Sequence, residues 1–391
     1  MDAERTSACG LKRVVAALLL ATLFPAASAT ANGTGDTEKA PSTEPPLVLA
    51  LDAFLERERS RPEADLPSAA FAPPLPDPTD FTPLPPAPGM TIIGGLPAQP
   101  GSLRDMVRLT MVLKHGASPA REATECSGVL VHPQLVLTAA HCLIPKDLNF
   151  YLSEVTVWYG HHRRDQQRAL SLPHPASSML IAGRYRRLQP ELGFDLAALH
   201  LPEPLSGSEV MPARLADDEM LEKDRLHFFT AGWGKTVETD NDRLTSPQWL
   251  LYARLMLLDA GEQPVPPHQR DTWLELLSGP LVSGGSGPDE PMSRACVGDS
   301  GGGFYAAPVQ DIGPAIAAAA GPRLIGLTSF GRNADFSPGT GAAGDDPSFC
   351  LHPRTLSHFT NLLAYHAEIA GMASAFGIDP SEIGLAGGTE Q

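Results

Sequence analysis

Cys296-Val297-Gly298-Asp299-Ser300-Gly301-Gly302-Gly303 sets one serine among glycines, with an aspartate immediately before it. Glycine lacks a Cβ, so it lets backbone approach backbone or substrate and accepts unusual φ/ψ values. A serine hydroxyl is a poor nucleophile until a base takes its proton. An arc of backbone N–H groups around it stabilises a developing oxyanion. Alone, a Gly-x-Ser-x-Gly stretch is equally a glycine-rich turn, so the rest of the chain has to discriminate.

Two upstream stretches supply partners for Ser300. Thr138-Ala139-Ala140-His141-Cys142 follows the apolar run Leu135-Val136-Leu137. A histidine at the end of a buried strand is held rigidly, and imidazole titrates near neutral pH, as a general base that must return its proton requires. The competing reading is a hydrogen-bonded structural histidine. Leu192-Gly193-Phe194-Asp195-Leu196-Ala197-Ala198-Leu199 puts a carboxylate at the mouth of an apolar run. Burial there costs free energy unless the group is paired, and a histidine partner would answer that cost and fix the imidazole tautomer. The competing reading is a turn aspartate bonded to its own backbone.

Taken together, in the order His141, Asp195, Ser300, these pieces resemble the trypsin-like (chymotrypsin-fold) serine peptidases. The carrying motifs are Thr-Ala-Ala-His-Cys at 138–142, Asp-Leu-Ala-Ala-Leu at 195–199, Gly-Trp-Gly at 232–234 and Gly-Asp-Ser-Gly-Gly at 298–302. The resemblance implies an all-β fold of two packed six-stranded antiparallel barrels with a C-terminal α-helix and the site in the cleft between barrels. It implies Ser300 as nucleophile, His141 as base and then acid, Asp195 as the group orienting His141, and the N–H groups of Gly298 and Ser300 as the oxyanion hole. Ser329-Phe330-Gly331 would line the specificity pocket and pair with extended substrate backbone. The disulfides would be Cys126–Cys142 and Cys296–Cys350. Protein or peptide substrates follow, with no cofactor. Calcium is not expected near His161, His162 and His174, where the acidic ligand pattern it needs is absent.

Two positions depart from the pattern. Six residues before the nucleophile, where trypsin has an aspartate that selects Lys or Arg, stands Arg294. A cation there repels a basic side chain and would receive an acidic one through a charge-assisted pair. The competing reading turns Arg294 outward or pairs it with Asp289 or Glu290. Ser357 is a further candidate for the pocket. Ile92-Ile93-Gly94-Gly95 is similar to the family's activated N-terminus, whose freed amino group would pair with Asp299. The cut would fall after Thr91, so an activating protease of trypsin-like preference does not suit it.

Length and composition agree. The chain has 391 residues, a formal charge of −16 and 39 prolines. The acidity argues against a general nucleic-acid binder. Lys12 and Arg13, the apolar run Val14 to Phe24 and Ala27-Ser28-Ala29 read as a secretory signal over 1–29, predicting a secreted or periplasmic protein. The run is short for a membrane anchor, the competing reading. Cys9 lies in that leader. The remaining four cysteines suggest two disulfides in an exported chain, with a zinc site as the weaker alternative, because no Cys-x-x-Cys pair occurs.

Residues 30–91 read as a Pro-rich propeptide or linker. Within them, Pro46 to Arg61 carries Leu47, Leu51, Phe54 and Leu55 at helical spacing. The peptidase-like region spans 92–376, with short strands broken by Gly, Pro and Asp, brief helices near 217–223 and 271–277, and a terminal helix over 357–376 capped by Ser357. Residues 377–391 read as a frayed tail. Two other functions compete. One is an α/β-hydrolase, whose nucleophile elbow shares Gly-x-Ser-x-Gly but needs its acid and histidine after the serine. The other is a non-catalytic binding protein on a peptidase scaffold.

Overall fold

A computed structural model describes residues 48–61, 95–116, 119–172, 175–223, 225–238, 243–265, 269–285, 293–308, 321–333, 350 and 355–385. All of them belong to one unit, Glu44–Gln391. The signal-like leader, the proline clusters of 62–90, Ile92, Asp289 and Glu290 lie outside the described residues.

Chain order begins with β1 (Val48–Ala50) and the helix α1 (Leu51–Arg59). Then come β2 (Leu96–Pro97), β3 (Met106–His115), β4 (Arg121–His132), β5 (Leu135–Thr138), the single turn α2 (Ala140–Leu143), β6 (Phe150–Tyr159), β7 (Arg168–Leu172), β8 (Met179–Ala182) and β9 (Ala197–His200). The second half holds β10 (Arg214–Leu215), α3 (Asp218–Leu221), β11 (Leu226–Gly232), β12 (Thr236–Glu238), β13 (Arg243–Thr245), β14 (Leu251–Leu258), β15 (Pro264–Val265), α4 (Arg270–Leu276), β16 (Leu281–Gly285), β17 (Gly303–Pro308), β18 (Arg323–Asn333), β19 (Thr355–Asn361) and α5 (His366–Ala375).

The first sheet runs β1-β8-β9-β5-β4-β3-β6-β7, and every pairing in it is antiparallel. The second runs β18-β17-β11-β14-β16-β19, and an added β18–β19 pairing closes those six strands into a ring. This is the two-barrel architecture that the motifs imply. It does not suit the α/β-hydrolase alternative, which requires a parallel sheet; among the described residues only the short β10 pairs in parallel, with β18.

The apolar runs are continuous because many strands are buried on both faces. Successive side chains on a strand point to opposite sides. Val136 therefore enters the core of the first sheet while Leu137 enters the seam between the sheets. Phe228 and Phe304 likewise fill the second ring, and their neighbours Phe229 and Tyr305 pack into the seam, stacked with ring centroids 5.1 Å apart. Ile369 and Met372 of α5 close that same seam.

Three expectations are corrected. The terminal helix does not start at Ser357. Residues 355–361 form β19, and α5 starts at His366. Thr355–Asn361 pair with β16 and β18 and complete the ring, so a long-range pairing overrides the local helical reading. Asn361, not Ser357, caps the intervening turn, accepting from the Leu363 N–H. Residues 378–385 are packed rather than frayed. Ile378, Ile383 and Leu385 are buried, and Asp379 and Glu382 form a capping box around Pro380–Ile383. Finally, β1 was not expected, although the helix beside it was.

Candidate active site

Each candidate residue sits where a strand ends. His141 follows β5 and lies in α2; Asp195 lies two residues before β9; Ser300 precedes β17. The first two therefore come from the first sheet and the third from the closed ring.

Asp195 is fully buried. Its Oδ1 accepts the backbone N–H of His141 at 2.9 Å, and its Oδ2 pairs with Nδ1 of the same histidine at 2.8 Å. Ser329 Oγ on β18 also donates to Oδ2, and Thr360 Oγ1 on β19 donates to the Asp195 carbonyl at 3.0 Å. Burial pushes the Asp195 carboxyl up, but the charge and hydrogen bonds of His141 and the bond from Ser329 outweigh it, holding the carboxyl below its ordinary range. The loop delivering it is tightly bent. Gly193 and Phe194 have φ of +81° and +61°, and the Phe194 N–H donates to Tyr365 Oη at 3.0 Å.

The serine loop is clamped from the opposite sheet. Ser127 on β4 donates its N–H to the Ser300 carbonyl at 2.8 Å and its hydroxyl to the Gly298 carbonyl at 3.0 Å. Thr138 Oγ1 in turn donates to the Ser127 carbonyl at 2.8 Å. Ser127 was missed by sequence reasoning, and its only signal is its place beside Cys126. Gly298 and Gly301 take φ of +101° and +76°, values that favour glycine. The N–H groups of Asp299, Gly301 and Gly302 are spent on the carbonyls of Cys296, Thr328 and Asp299. Those of Gly298 and Ser300 have no protein acceptor among the described residues. Two unspent donors on one arc suit an oxyanion. Among the described residues no hydrogen bond joins Ser300 Oγ to His141 Nε2; such contacts are often long in unliganded sites and tighten with substrate.

Asp299 points away from the arc. Its carboxylate accepts the Gly234 N–H at 2.7 Å and the Cys296 N–H at 2.9 Å. The Gly-Trp-Gly motif makes room for it: a Cβ on Gly234 would lie 2.6 Å from Asp299 Oδ1. Trp233 is buried and donates Nε1–H to the His162 carbonyl at 2.9 Å. Burial pushes the Asp299 carboxyl up to about 7, against the pull of its two N–H donors. In the unfolded chain the group ionises near 3.8, so between pH 3.8 and 7 the folded state holds a proton that the unfolded state has lost. Stability then falls as pH rises through that window. Asp299→Asn should remove this component. The Tm difference between variant and wild type is expected to move in favour of the variant from pH 4 to pH 7, and a pH-independent difference would refute it.

The disulfides are Cys126–Cys142 and Cys296–Cys350. The first ties β4 to the His141 turn across 16 residues. A loop of that length is worth about 3 kcal/mol in the chain-entropy account. Cys126, His141 and Cys142 also converge as a nominal ligand cluster, but the sulfurs are bonded to each other, which removes the thiolates that a metal would use. Ser329, Phe330 and Gly331 lie on β18, opposite β19, with Phe330 stacked on His358 at 4.5 Å. Arg294 is buried, 1% exposed, which removes the outward-turned reading. Burial lowers its guanidinium to about 10. Its neighbour Ala295 donates its N–H to Ser357 Oγ at 2.9 Å, so Ser357 does adjoin this segment.

Comparison with known proteins gives matches that include the following. The family model described as Trypsin matches residues 92–342. Over 220 residues the chain is 30% identical to the complement C1r-B subcomponent of Mus musculus, covering 54% of this chain and 28% of that protein. Over 256 residues it is 25% identical to renal glandular kallikrein of Mastomys natalensis, covering 63% of this chain and 79% of that protein. The aligned part is thus less than a third of the complement relative's length.

Proposed function

Because this chain belongs to the trypsin family, matched over residues 92–342, we propose that it is an exported serine endopeptidase cleaving protein or peptide substrates through an acyl-enzyme. The observation that carries this reading is the buried Asp195 carboxylate on Nδ1 of His141 at 2.8 Å. That bond keeps a proton on Nδ1 and leaves Nε2 as the basic nitrogen. Nε2 takes the Ser300 proton as Oγ attacks the scissile carbonyl, and then returns it to the leaving amine. The N–H groups of Gly298 and Ser300 receive the oxyanion. Water, activated by the same nitrogen, releases the acid product. The leader-like residues 1–29 and the two disulfides support export.

Arg294 would make the preferred residue before the scissile bond other than Lys or Arg, because a buried cation repels a basic side chain. Activation would free the Ile92 amino group, and a cation beside Asp299 would offset the cost of its buried charge.

One set of measurements tests this. A fluorophosphonate probe is expected to label the wild type and not Ser300→Ala. A peptide library should return cleavages after residues other than Lys and Arg, and N-terminal sequencing should find Ile92. An unlabelled wild type that still binds a protein partner would instead favour the non-catalytic scaffold. Dominant cleavage after Lys or Arg would refute the role of Arg294.

A further inference from the structure

The segment Val48–Arg61 is built into the first sheet. β1 pairs antiparallel with β8, Val48 opposite Ala182, Leu49 opposite Ile181 and Ala50 opposite Leu180. It thereby covers the row of backbone groups that β8 would otherwise present as a sheet edge. α1 then turns one face inward. Leu51, Phe54 and Leu55 are 1%, 0% and 4% exposed and join the core of the first sheet, while Asp52, Ala53, Glu56 and Arg59 face outward. Phe54 stacks on Tyr185 with centroids 5.8 Å apart, and the Arg57 guanidinium lies 4.7 Å from the Phe54 ring. Arg57 also donates to the carbonyls of Gly183 and Tyr185. The buried Glu58 carboxylate lies between Arg57 at 3.6 Å and Arg61 at 3.5 Å. On the other side Val48 approaches Gly371 of α5. The segment is therefore wedged between β8 and the terminal helix.

We propose that Val48–Arg61 is a clip that stays seated as a non-covalently held second chain after the polypeptide is cut between Arg61 and Ile92. The proposal rests on the reading above only for where that cut falls. Part of the stretch 30–91 thereby stays docked on the catalytic domain after the connection is severed. The segment contains no cysteine, so retention depends on the β1–β8 ladder, the buried apolar face and the Arg57 bonds. A nine-residue helix is not stable by itself in water; the surface it covers holds it in shape. Its ladder, apolar anchors and charged pair together form the kind of contact by which a strand adds to a sheet.

The test uses the full chain carrying Ser300→Ala, so that self-processing plays no part, with a site-specific protease recognition sequence placed within residues 70–80. After cutting, native gel filtration with mass spectrometry is expected to find one clip per catalytic domain, separating only in denaturant. Phe54→Asp should release the clip, and Ala53→Asp on the outward face should not. A clip with unaltered contacts that elutes alone overturns the proposal, and this arm does not depend on how Phe54→Asp folds. Retention unchanged by Phe54→Asp also overturns it, because the buried face would then not be what holds. The readout is independent of catalysis, so loss of the clip and loss of peptidase activity are distinguishable results.

Discussion

Asp195→Asn is expected to lower kcat on the order of 10⁴-fold, with little change in KM and no loss of fold. Asp195 Oδ1 accepts the His141 backbone N–H, and Oδ2 accepts from Nδ1. Asparagine keeps one acceptor oxygen. If that oxygen stays on the backbone N–H, its NH₂ faces Nδ1 and can only donate. The imidazole must then carry its proton on Nε2, the nitrogen that has to receive one from Ser300. Ser329 can rotate its hydroxyl to suit, so the packing survives while the tautomer is wrong. The measurement is steady-state kinetics on a peptide that the wild type cleaves, with circular dichroism as the control on folding. A loss smaller than tenfold would show that the carboxylate does not set the protonation of His141.

Gly301→Ala is expected to produce the largest loss of stability among single-methyl additions near the site. At φ +76°, an added Cβ would lie 2.9 Å from the Ala139 nitrogen and closer still to the Ser127 carbonyl and Thr138 Oγ1. Two of those three neighbours are backbone atoms, on β4 and just after β5, so they cannot swing aside. Strain at a left-handed φ and forced overpacking each cost about 1–3 kcal/mol, giving a sum of about 2–6 kcal/mol and a Tm lower on the order of 10 °C. Activity should fall further than stability explains, because relief requires the Ser300 loop to retreat from Ser127. Thermal melts and active-site titration would check this together. A variant that melts with the wild type would remove the claim of a rigid seam.

The motif residues were legible because their demands are local: glycine where backbone must bend or approach, a histidine after an apolar strand, an aspartate before one. Strands were legible where, as in the doubly buried β5, they read as apolar runs. What stayed hidden is set by contacts between distant segments. Val48-Leu49-Ala50 is only three residues long beside prolines, and nothing local announces its pairing with β8. Thr355–Asn361 carries enough apolar residues to pass for the first turns of a helix until the ring has to close. Ser127 and Thr360 are ordinary polar strand residues, and their partners, Ser300 and Asp195, lie 173 and 165 positions away. Arg294 was legible as a departure, and its burial was not, because exposure of a long cationic side chain is decided by the strands around it.

The hydrogen bonds exchanged across the seam make the two halves mutually dependent. The first half supplies Ser127 to the Ser300 loop, and the second supplies Ser329 and Thr360 to Asp195, which pairs with His141. Neither half is a portable module. A chimera joined near residue 210, each part drawn from a different relative, would inherit correct motifs on both sides and still lose alignment unless those three hydroxyls and the backbone they meet were transplanted with them.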